Sequence, residues 1–280
     1  MTRPNQALLD LNALRNNLAH AQSLAPKSRV MAVIKADAYG HGAVTVANAL
    51  APHTDAFAVA CIEEALELRR AGIATPILLL QGIFEESELH IAASNNLWLM
   101  IENAWQLRVL EQATLEAPVS CWLKIDTGMH RLGIEPTQAE DFYRRLSKTK
   151  NTRGEIVLCT HFASADDLQS PQTNLQMECF NSVCEPLNGP RSAANSPAVL
   201  GWPNTHFDWI RPGYMLYGNS PFGLTPHANT AALQPVMTLQ SAIVSIRQVL
   251  PGDHVGYAAS WSADKLSRIA TVTIGYSDGY

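Results

Sequence analysis

Short apolar segments alternate with helical patterns through most of this chain of 280 residues. The apolar segments predict eight strands, at residues 29–35, 56–60, 76–81, 97–101, 119–125, 155–161, 191–195 and 207–211. The helical patterns lie between them, at residues 44–50, 62–71, 86–95, 104–112, 137–146 and 172–185, with a short one after Ser196. Because strands that alternate with helices build a parallel sheet, eight such pairs predict a (β/α)8 barrel.

The pattern changes near residue 230. The preceding segment, residues 220–226, is rich in proline and glycine and is typical of a linker. Residues 236–249 and 269–274 are β-rich, and no helical period lies between them. We therefore predict an α/β barrel over residues 11–230, followed by a β-rich domain that begins at residue 231 and continues to residue 280.

Lys35 stands at the end of the first predicted strand. The five residues before it are all apolar, and Gly40 and Gly42 follow shortly after it. In such barrels the carboxyl ends of the strands carry the chemistry, and a lysine in an apolar wall can attack a carbonyl to form a Schiff base. The alternative is a structural lysine whose stem lies along the strand end while its amine reaches water.

The loops after the seventh and eighth predicted strands favour an anion. These loops contain Asn195 and Ser196 in one case and Gly213 and Tyr214 in the other. Barrels with phosphate ligands often bind them at these two loops, where a hydroxyl and a close backbone approach are both useful. Either loop alone is more often a helix cap or a routine turn, but together they predict a phosphate.

Two further polar residues end predicted strands. Arg211 ends the eighth strand, and His161 ends the sixth. An isolated arginine most often forms a surface ion pair, and a lone histidine is more often structural than functional. At the end of a barrel strand, however, each is expected to point into the site.

Composition excludes several classes of partner. The formal net charge is −5 and no Lys/Arg run occurs, so we expect neither a nucleic acid nor an anionic membrane surface as a partner. No apolar run reaches the ~20 residues of a membrane helix, and residues 1–6 lack the apolar core of a signal peptide. The five scattered cysteines indicate reduced thiols in a cytoplasmic protein, and no metal-binding motif is present. Only 16% of the residues are charged, which favours a surface covered by a second subunit.

Residues 33–42, Val-Ile-Lys-Ala-Asp-Ala-Tyr-Gly-His-Gly, resemble the cofactor-lysine segment of alanine racemases. The resemblance continues nearly to the last residue. It implies pyridoxal 5'-phosphate (PLP) on Lys35, interconversion of L- and D-alanine, and a cytoplasmic homodimer. It also implies that the predicted strand at residues 6–10 belongs to the β-rich domain.

The resemblance assigns roles to individual residues. It implies that the PLP phosphate is held by Tyr39, Asn195, Ser196, Gly213 and Tyr214, and that Arg211 faces the pyridine nitrogen and is hydrogen-bonded to His161. It places Arg131 at the substrate carboxylate, Tyr276 at the opening of the site, and Lys124 as a candidate for carbamylation. Lys35 then serves as the base on one face of the substrate, and Tyr257 of the partner subunit serves on the other.

Two departures from the family pattern stand out. Ala258, Ala259 and Ser260 follow Tyr257 where the family pattern leads us to expect glycines, and the sequence stops inside the β-rich domain where relatives continue. We therefore expect a truncated domain, and thus a fragment or an impaired enzyme. The alternatives are a non-catalytic PLP-binding barrel, a PLP barrel decarboxylase and an inactive truncated relative. The sequence leaves open whether the activity serves peptidoglycan synthesis or D-alanine breakdown.

Overall fold

The computed structural model describes residues 4–279, which divide into two compact units. The larger unit spans Asp10–Val236, and the smaller one contains residues 4–9 and 237–279. The division thus falls after Val236, whereas the sequence placed it after residue 230. The physical reason is the buried side chain of Asn17, which donates to the carbonyl of Gln234 at 2.8 Å and accepts from its N–H at 2.9 Å. These two bonds tie Gln234, near the end of the larger unit, to the first helix of that unit.

The larger unit is a closed barrel of eight parallel strands, which confirms the predicted fold class. In chain order the strands are Arg29–Val33, Ala56–Val59, Ile77–Leu79, Leu97–Ile101, Cys121–Lys124, Val157–Cys159, Arg191–Ser192 and Trp209–Ile210. Closure comes from the eighth strand, which pairs with the first in the register Arg29 to Trp209 and Val30 to Ile210. All eight carboxyl ends therefore meet at one rim of the barrel, where the ligand sites of such folds lie.

Helices cover the outside of the barrel. They are Leu11–Leu24, Ala43–Leu50, Ile62–Arg70, Glu86–Ser94, Ala104–Gln112, Ala139–Lys148, Gln172–Cys184 and Ser196–Gly201. The first begins after Asp10, whose carboxylate accepts from the N–H groups of Asn12 and Ala13, both at 2.9 Å. The last is only six residues long, as expected from the prolines at positions 197 and 203.

Side chains of each strand alternate between two cores. Met31 and Val33 of the first strand point into the barrel, whereas Val30 and Ala32 pack outward against the helices. The outer core is much the larger and contains the apolar faces of the helices. Both faces of the strands are therefore buried, which explains why these segments are almost continuously apolar.

Three tryptophans fill the barrel interior. Trp98, Trp122 and Trp209 lie with their ring centroids 5.6–6.4 Å apart, and Trp209 also packs beneath the guanidinium of Arg29 at 4.4 Å. They come from the early parts of the fourth, fifth and eighth strands, whereas later residues of these strands lie at the rim. The indoles thus form a packed floor beneath the carboxyl ends.

Truncating a tryptophan side chain of this floor should destabilise the barrel strongly. Trp122 is 1% exposed, so Trp122→Ala should lower the free energy of unfolding by roughly 3–5 kcal/mol, as for other buried aromatic residues. Urea unfolding followed by circular dichroism measures the effect. Leu175, which is 55% exposed in the same unit, is the matched control, and Leu175→Ala should change stability by less than about 0.5 kcal/mol. Equal effects of the two substitutions would contradict the packed floor.

The smaller unit consists of three two-stranded antiparallel sheets. The strand Gln6–Leu9 pairs with Met237–Gln240, and Ile243–Val249 pairs with Ser267–Val272. The third sheet joins two strands of two residues each, His254–Val255 and Trp261–Ser262. This unit is β-rich, as predicted.

Over residues 4–279, no helix is both long enough and apolar enough to cross a membrane. In the same part of the chain, no three His, Cys, Asp or Glu side chains are grouped in a way that could hold a metal ion. All five cysteines are unpaired thiols, and Cys121, Cys159 and Cys184 are buried.

Candidate active site

A cavity of about 310 Å³ opens at the carboxyl ends of the barrel strands. This volume lies at the lower end of the range for small-molecule sites. Ten of the residues singled out from the sequence line it: Lys35, Tyr39, Lys124, Arg131, His161, Asn195, Ser196, Arg211, Gly213 and Tyr214. Its lining contains residues of the larger unit alone.

Lys35 lies two residues after the end of the first strand and is half-buried. The strand ends at Val33, two residues earlier than predicted, because the backbone turns into a left-handed conformation from Ala36 to Tyr39. The amide N–H of Ala36 donates to the carboxylate of Glu64 at 2.7 Å. Lys35 is therefore joined to an irregular turn that a neighbouring helix holds in place.

The loops after the seventh and eighth strands meet at Ser196. Its buried hydroxyl accepts from the N–H groups of Gly213 at 2.9 Å and Met215 at 3.2 Å. The helix cap here is Asn195, whose side chain accepts from Ala198 at 3.2 Å, and Ser196 is the first helical residue. Because both acceptor positions of the Ser196 hydroxyl are used within the protein, its O–H remains able to donate to an anion.

Gly213 allows Tyr39 to approach this loop closely. A Cβ atom at position 213 would lie 2.7 Å from the Tyr39 hydroxyl and 3.3 Å from the Val33 side chain, so no larger residue fits without displacement. The Tyr39 ring packs on that of Tyr217 at 4.9 Å between centroids, and burial raises the pKa of Tyr39. Tyr39 thus presents a protonated hydroxyl beside Gly213, whose N–H donates to Ser196, so the cavity has two hydroxyl donors along this loop.

Arg211 is buried beneath the cavity at 5% exposure. Its guanidinium donates to the carbonyls of Thr160 at 2.7 Å and Ala193 at 3.3 Å, and also to the hydroxyl of Ser192. These three partners lie at the ends of the sixth and seventh strands, so the barrel itself fixes the position of the positive charge.

His161 lies within hydrogen-bond reach of this guanidinium, with Nδ1 3.4 Å from Nη2 of Arg211. Burial and then the charge of Arg211 hold the pKa of His161 well below its usual value. The imidazole is consequently neutral at pH 7, and Nδ1 accepts from Arg211. The cavity floor therefore carries a fixed cation beside a neutral ring.

Lys124 ends the fifth strand and forms a buried ion pair with Glu102, at 3.7 Å between Nζ and Oε2. Glu102 is 6% exposed, and this oxygen has no hydrogen-bond partner. Burial lowers the pKa of Lys124, and the charge of Glu102 opposes that effect. Burial likewise raises the pKa of Glu102, while Lys124 opposes the rise.

Arg131 lies in an exposed loop that Asp126 organises. One oxygen of Asp126 accepts from the N–H groups of Gly128, Met129 and His130, each at 3.0 Å. Burial alone would raise the pKa of Asp126, but these backbone bonds outweigh burial and lower it. The ionised carboxylate of Asp126 thus fixes the loop immediately before Arg131.

Tyr257 and Tyr276 belong to the smaller unit, where their side chains are 91% and 98% exposed. Ala258 and Ala259, which follow Tyr257, have φ angles of 59° and 50°. These are left-handed conformations that glycine adopts without steric cost. The substitution of alanines for the expected glycines therefore places strain beside Tyr257.

Two acidic residues that contact the site in the larger unit, Glu102 and Glu64, were not predicted from the sequence. Glu102 follows the apolar strand Leu97–Ile101 directly, so its position at a strand end was an available signal. Glu64 lies within the helix Ile62–Arg70 among other glutamates, and nothing in the sequence distinguishes it from Glu63 or Glu67.

The fold and cavity define a class, a (β/α)8 barrel whose rim combines a strand-end lysine with donors for an anion. Comparison with known proteins identifies the family. The family model "Alanine racemase, N-terminal domain" matches residues 9–221, and "Alanine racemase, C-terminal domain" matches residues 236–280. The chain therefore belongs to the alanine racemase family of enzymes.

Individual relatives agree. An alanine racemase of Pseudomonas entomophila is 50% identical over 99% of this chain and 77% of its own length. A catabolic alanine racemase of Pseudomonas putida is 49% identical with the same coverage. The crystal structure of the biosynthetic alanine racemase from Pseudomonas aeruginosa superimposes with a TM-score of 0.94 at 45% identity, covering 100% of this chain and 77% of that one.

Proposed function

We propose that this protein interconverts L- and D-alanine with PLP held on Lys35. The observation that carries the proposal is the position of Lys35 in one cavity with two hydroxyl donors on one side and a buried guanidinium beneath. Membership of the alanine racemase family supports the reaction and the substrate.

The residues present fit this cofactor. The phosphate would be held by the hydroxyls of Tyr39 and Ser196 and by the loop residues Asn195, Gly213 and Tyr214, where the missing side chain of Gly213 leaves room. The pyridine ring would lie near Arg211 and His161. When bound, PLP supplies an electron sink that makes the α-proton of an amino acid acidic.

Arg211 limits the strength of that sink. A guanidinium offers only donors and does not lose its proton, so it does not protonate a ring nitrogen beside it as a carboxylic acid would. Because His161 is neutral and accepts from Arg211, it does not supply a proton there either. This arrangement favours simple return of the proton, as racemisation requires, and disfavours a decarboxylase, for which an acidic residue is expected at this position.

Racemisation needs a base on each face of the substrate. We assign Lys35 to one face, where its amine would take or return the α-proton of the substrate. We assign Tyr257 of the second subunit of a homodimer to the other face. The exposure of Tyr257 supports this role, since the hydroxyl is accessible to a second chain.

The remaining assignments concern the substrate. We propose that Arg131 binds the carboxylate of alanine, because an arginine forms charge-assisted bonds with a carboxylate. We propose that Tyr276 narrows the opening of the site and favours a side chain as small as that of alanine. The cavity volume is compatible with a cofactor and a small amino acid.

A polarimetric assay tests the proposed reaction. With added PLP, L-alanine and D-alanine should each lose optical rotation and converge on the same racemic mixture. A non-catalytic PLP-binding barrel, or an inactive relative, would bind PLP but leave both rotations unchanged. The match of residues 236–280 to the C-terminal family domain argues against a barrel that only binds cofactor.

Lys124 is a candidate for carbamylation. The neutral amine is the form that reacts with CO2, and burial favours that form by lowering the pKa of Lys124. Because Glu102 opposes this shift, Glu102→Gln should increase the carbamylated fraction. Carbon-13 NMR of protein equilibrated with labelled bicarbonate measures it, with Lys124→Met as the blank. Equal carbamate signals in native protein and the Glu102→Gln variant, or none in either, would contradict the prediction.

A further inference from the structure

The four residues after Lys35 share a backbone conformation that L-amino acids rarely adopt. Ala36, Asp37, Ala38 and Tyr39 have φ angles of 52°, 52°, 53° and 56°, and none of them is glycine. In this left-handed region the Cβ atom crowds the following carbonyl oxygen. A run of four such residues persists only where surrounding contacts determine it.

Contacts within the segment hold its far end. The carboxylate of Asp37 accepts from the N–H of Ala43 at 2.6 Å, and the Asp37 carbonyl accepts from Gly42 at 3.0 Å. The N–H of Ala38 donates to the carbonyl of Ile34 at 2.9 Å. These bonds close the turn, but none of them involves the amide of Ala36, the group that follows Lys35 directly.

That amide is held by Glu64. One carboxylate oxygen of Glu64 accepts from Ala36 at 2.7 Å, and the other accepts from Ala60 at 2.7 Å. Ala60 follows the second barrel strand and lines the cavity. A single charged side chain thus joins the backbone after Lys35 to the adjacent strand end, and each bond is charge-assisted.

A role at the start of its own helix explains only one of the two backbone bonds that Glu64 accepts. Glu64 lies in the first turn of the helix Ile62–Arg70, where a carboxylate commonly binds an N–H at the start of its own helix. That role accounts for the bond to Ala60. It does not account for the bond to Ala36, which is 28 positions away in sequence.

We propose that Glu64 is a positioning residue for Lys35. By holding the first amide of the left-handed turn, it fixes the direction in which the Lys35 side chain leaves the strand end, and thus the place of its amine in the cavity. The inference rests on the proposed function, because it assumes that Lys35 carries the cofactor and moves the proton.

The Glu64→Gln variant tests this role with little change of shape. A glutamine side chain has one acceptor oxygen, and its NH₂ group would face an N–H donor, so one of the two backbone bonds is lost. Glu67→Gln is the matched control, because Glu67 lies on the same helix and is exposed. Three quantities are measured: amide hydrogen exchange of the peptide containing residues 36–42, the dissociation constant for PLP, and kcat and KM for alanine.

Glu64→Gln should speed exchange in this peptide and weaken PLP retention by about tenfold, the effect of one lost charged hydrogen bond. It should lower kcat about tenfold or more while KM for alanine changes little, because a displaced amine impairs proton transfer rather than substrate binding. The variant should remain folded at the assay temperature, with a melting temperature that lies below that of Glu67→Gln by no more than the few degrees that one lost hydrogen bond costs.

The inference would be overturned if Glu64→Gln showed the same hydrogen exchange, PLP retention and kcat as the native protein. It would also be overturned if the losses of PLP retention and kcat only followed a lowered melting temperature. Failure of the native protein itself to bind PLP would instead contradict the proposed function.

Discussion

The Lys35→Ala variant should lose the visible absorbance of bound cofactor, and its racemisation rate should fall by roughly 10⁴-fold or more. The expected loss is large because the proposal gives one amine two tasks, holding PLP covalently and moving the α-proton on one face. Both tasks need a primary amine at the end of the first barrel strand, and the cavity offers only one other lysine, Lys124, which is paired with Glu102.

Absorbance spectra and polarimetry measure the two effects separately. Lys27→Ala is the control, because Lys27 is exposed and lies outside the cavity lining, so its removal should change neither readout. Circular dichroism verifies that both variants remain folded. A visible band that persists in Lys35→Ala would show that another group holds the cofactor.

The second large effect is expected at Tyr257. In Tyr257→Phe, deuterium from solvent should enter one enantiomer of alanine about 10²–10⁴-fold more slowly, because the variant lacks the general base that we propose for one face. Exchange into the other enantiomer should fall much less, since Lys35 still serves that face. The asymmetry follows from two bases with separate faces.

Proton NMR in deuterated water follows the loss of the α-proton from L-alanine and D-alanine in parallel samples. Tyr143→Phe is the control, because Tyr143 lies on the outer helix Ala139–Lys148 and its hydroxyl donates to a backbone carbonyl, that of Asn188. Equal slowing for both enantiomers in Tyr257→Phe would argue against a base dedicated to one face.

The barrel could be predicted because its signal is strong and local. The apolar run before Lys35 is buried on both faces, and the helix predicted at residues 62–71 is observed at Ile62–Arg70, followed by Gly72 with a φ of 83°. Strand ends were less predictable. The eighth strand covers Trp209–Ile210 rather than residues 207–211, because only those residues take part in the parallel pairing.

Many residues of the candidate site could be predicted because they lie at the ends of predicted strands. The features that could not be predicted have physical causes. Little in Ala36–Tyr39 indicates a left-handed turn, since Asp37 alone is of a type that visits this backbone with any frequency, and only as a single residue. Its first amide bonds to Glu64, which belongs to the helix Ile62–Arg70. The partner of Lys124 was equally hidden, because Glu102 is distant in sequence and is brought near only by the pairing of the fourth and fifth strands.

Covalent labelling tests the central claim most directly. The protein is incubated with PLP, reduced with borohydride, digested and mapped by mass spectrometry. The proposal predicts a single phosphopyridoxyl group on the peptide that contains Lys35. A label on another lysine, such as Lys124, or no label on the protein, would contradict it.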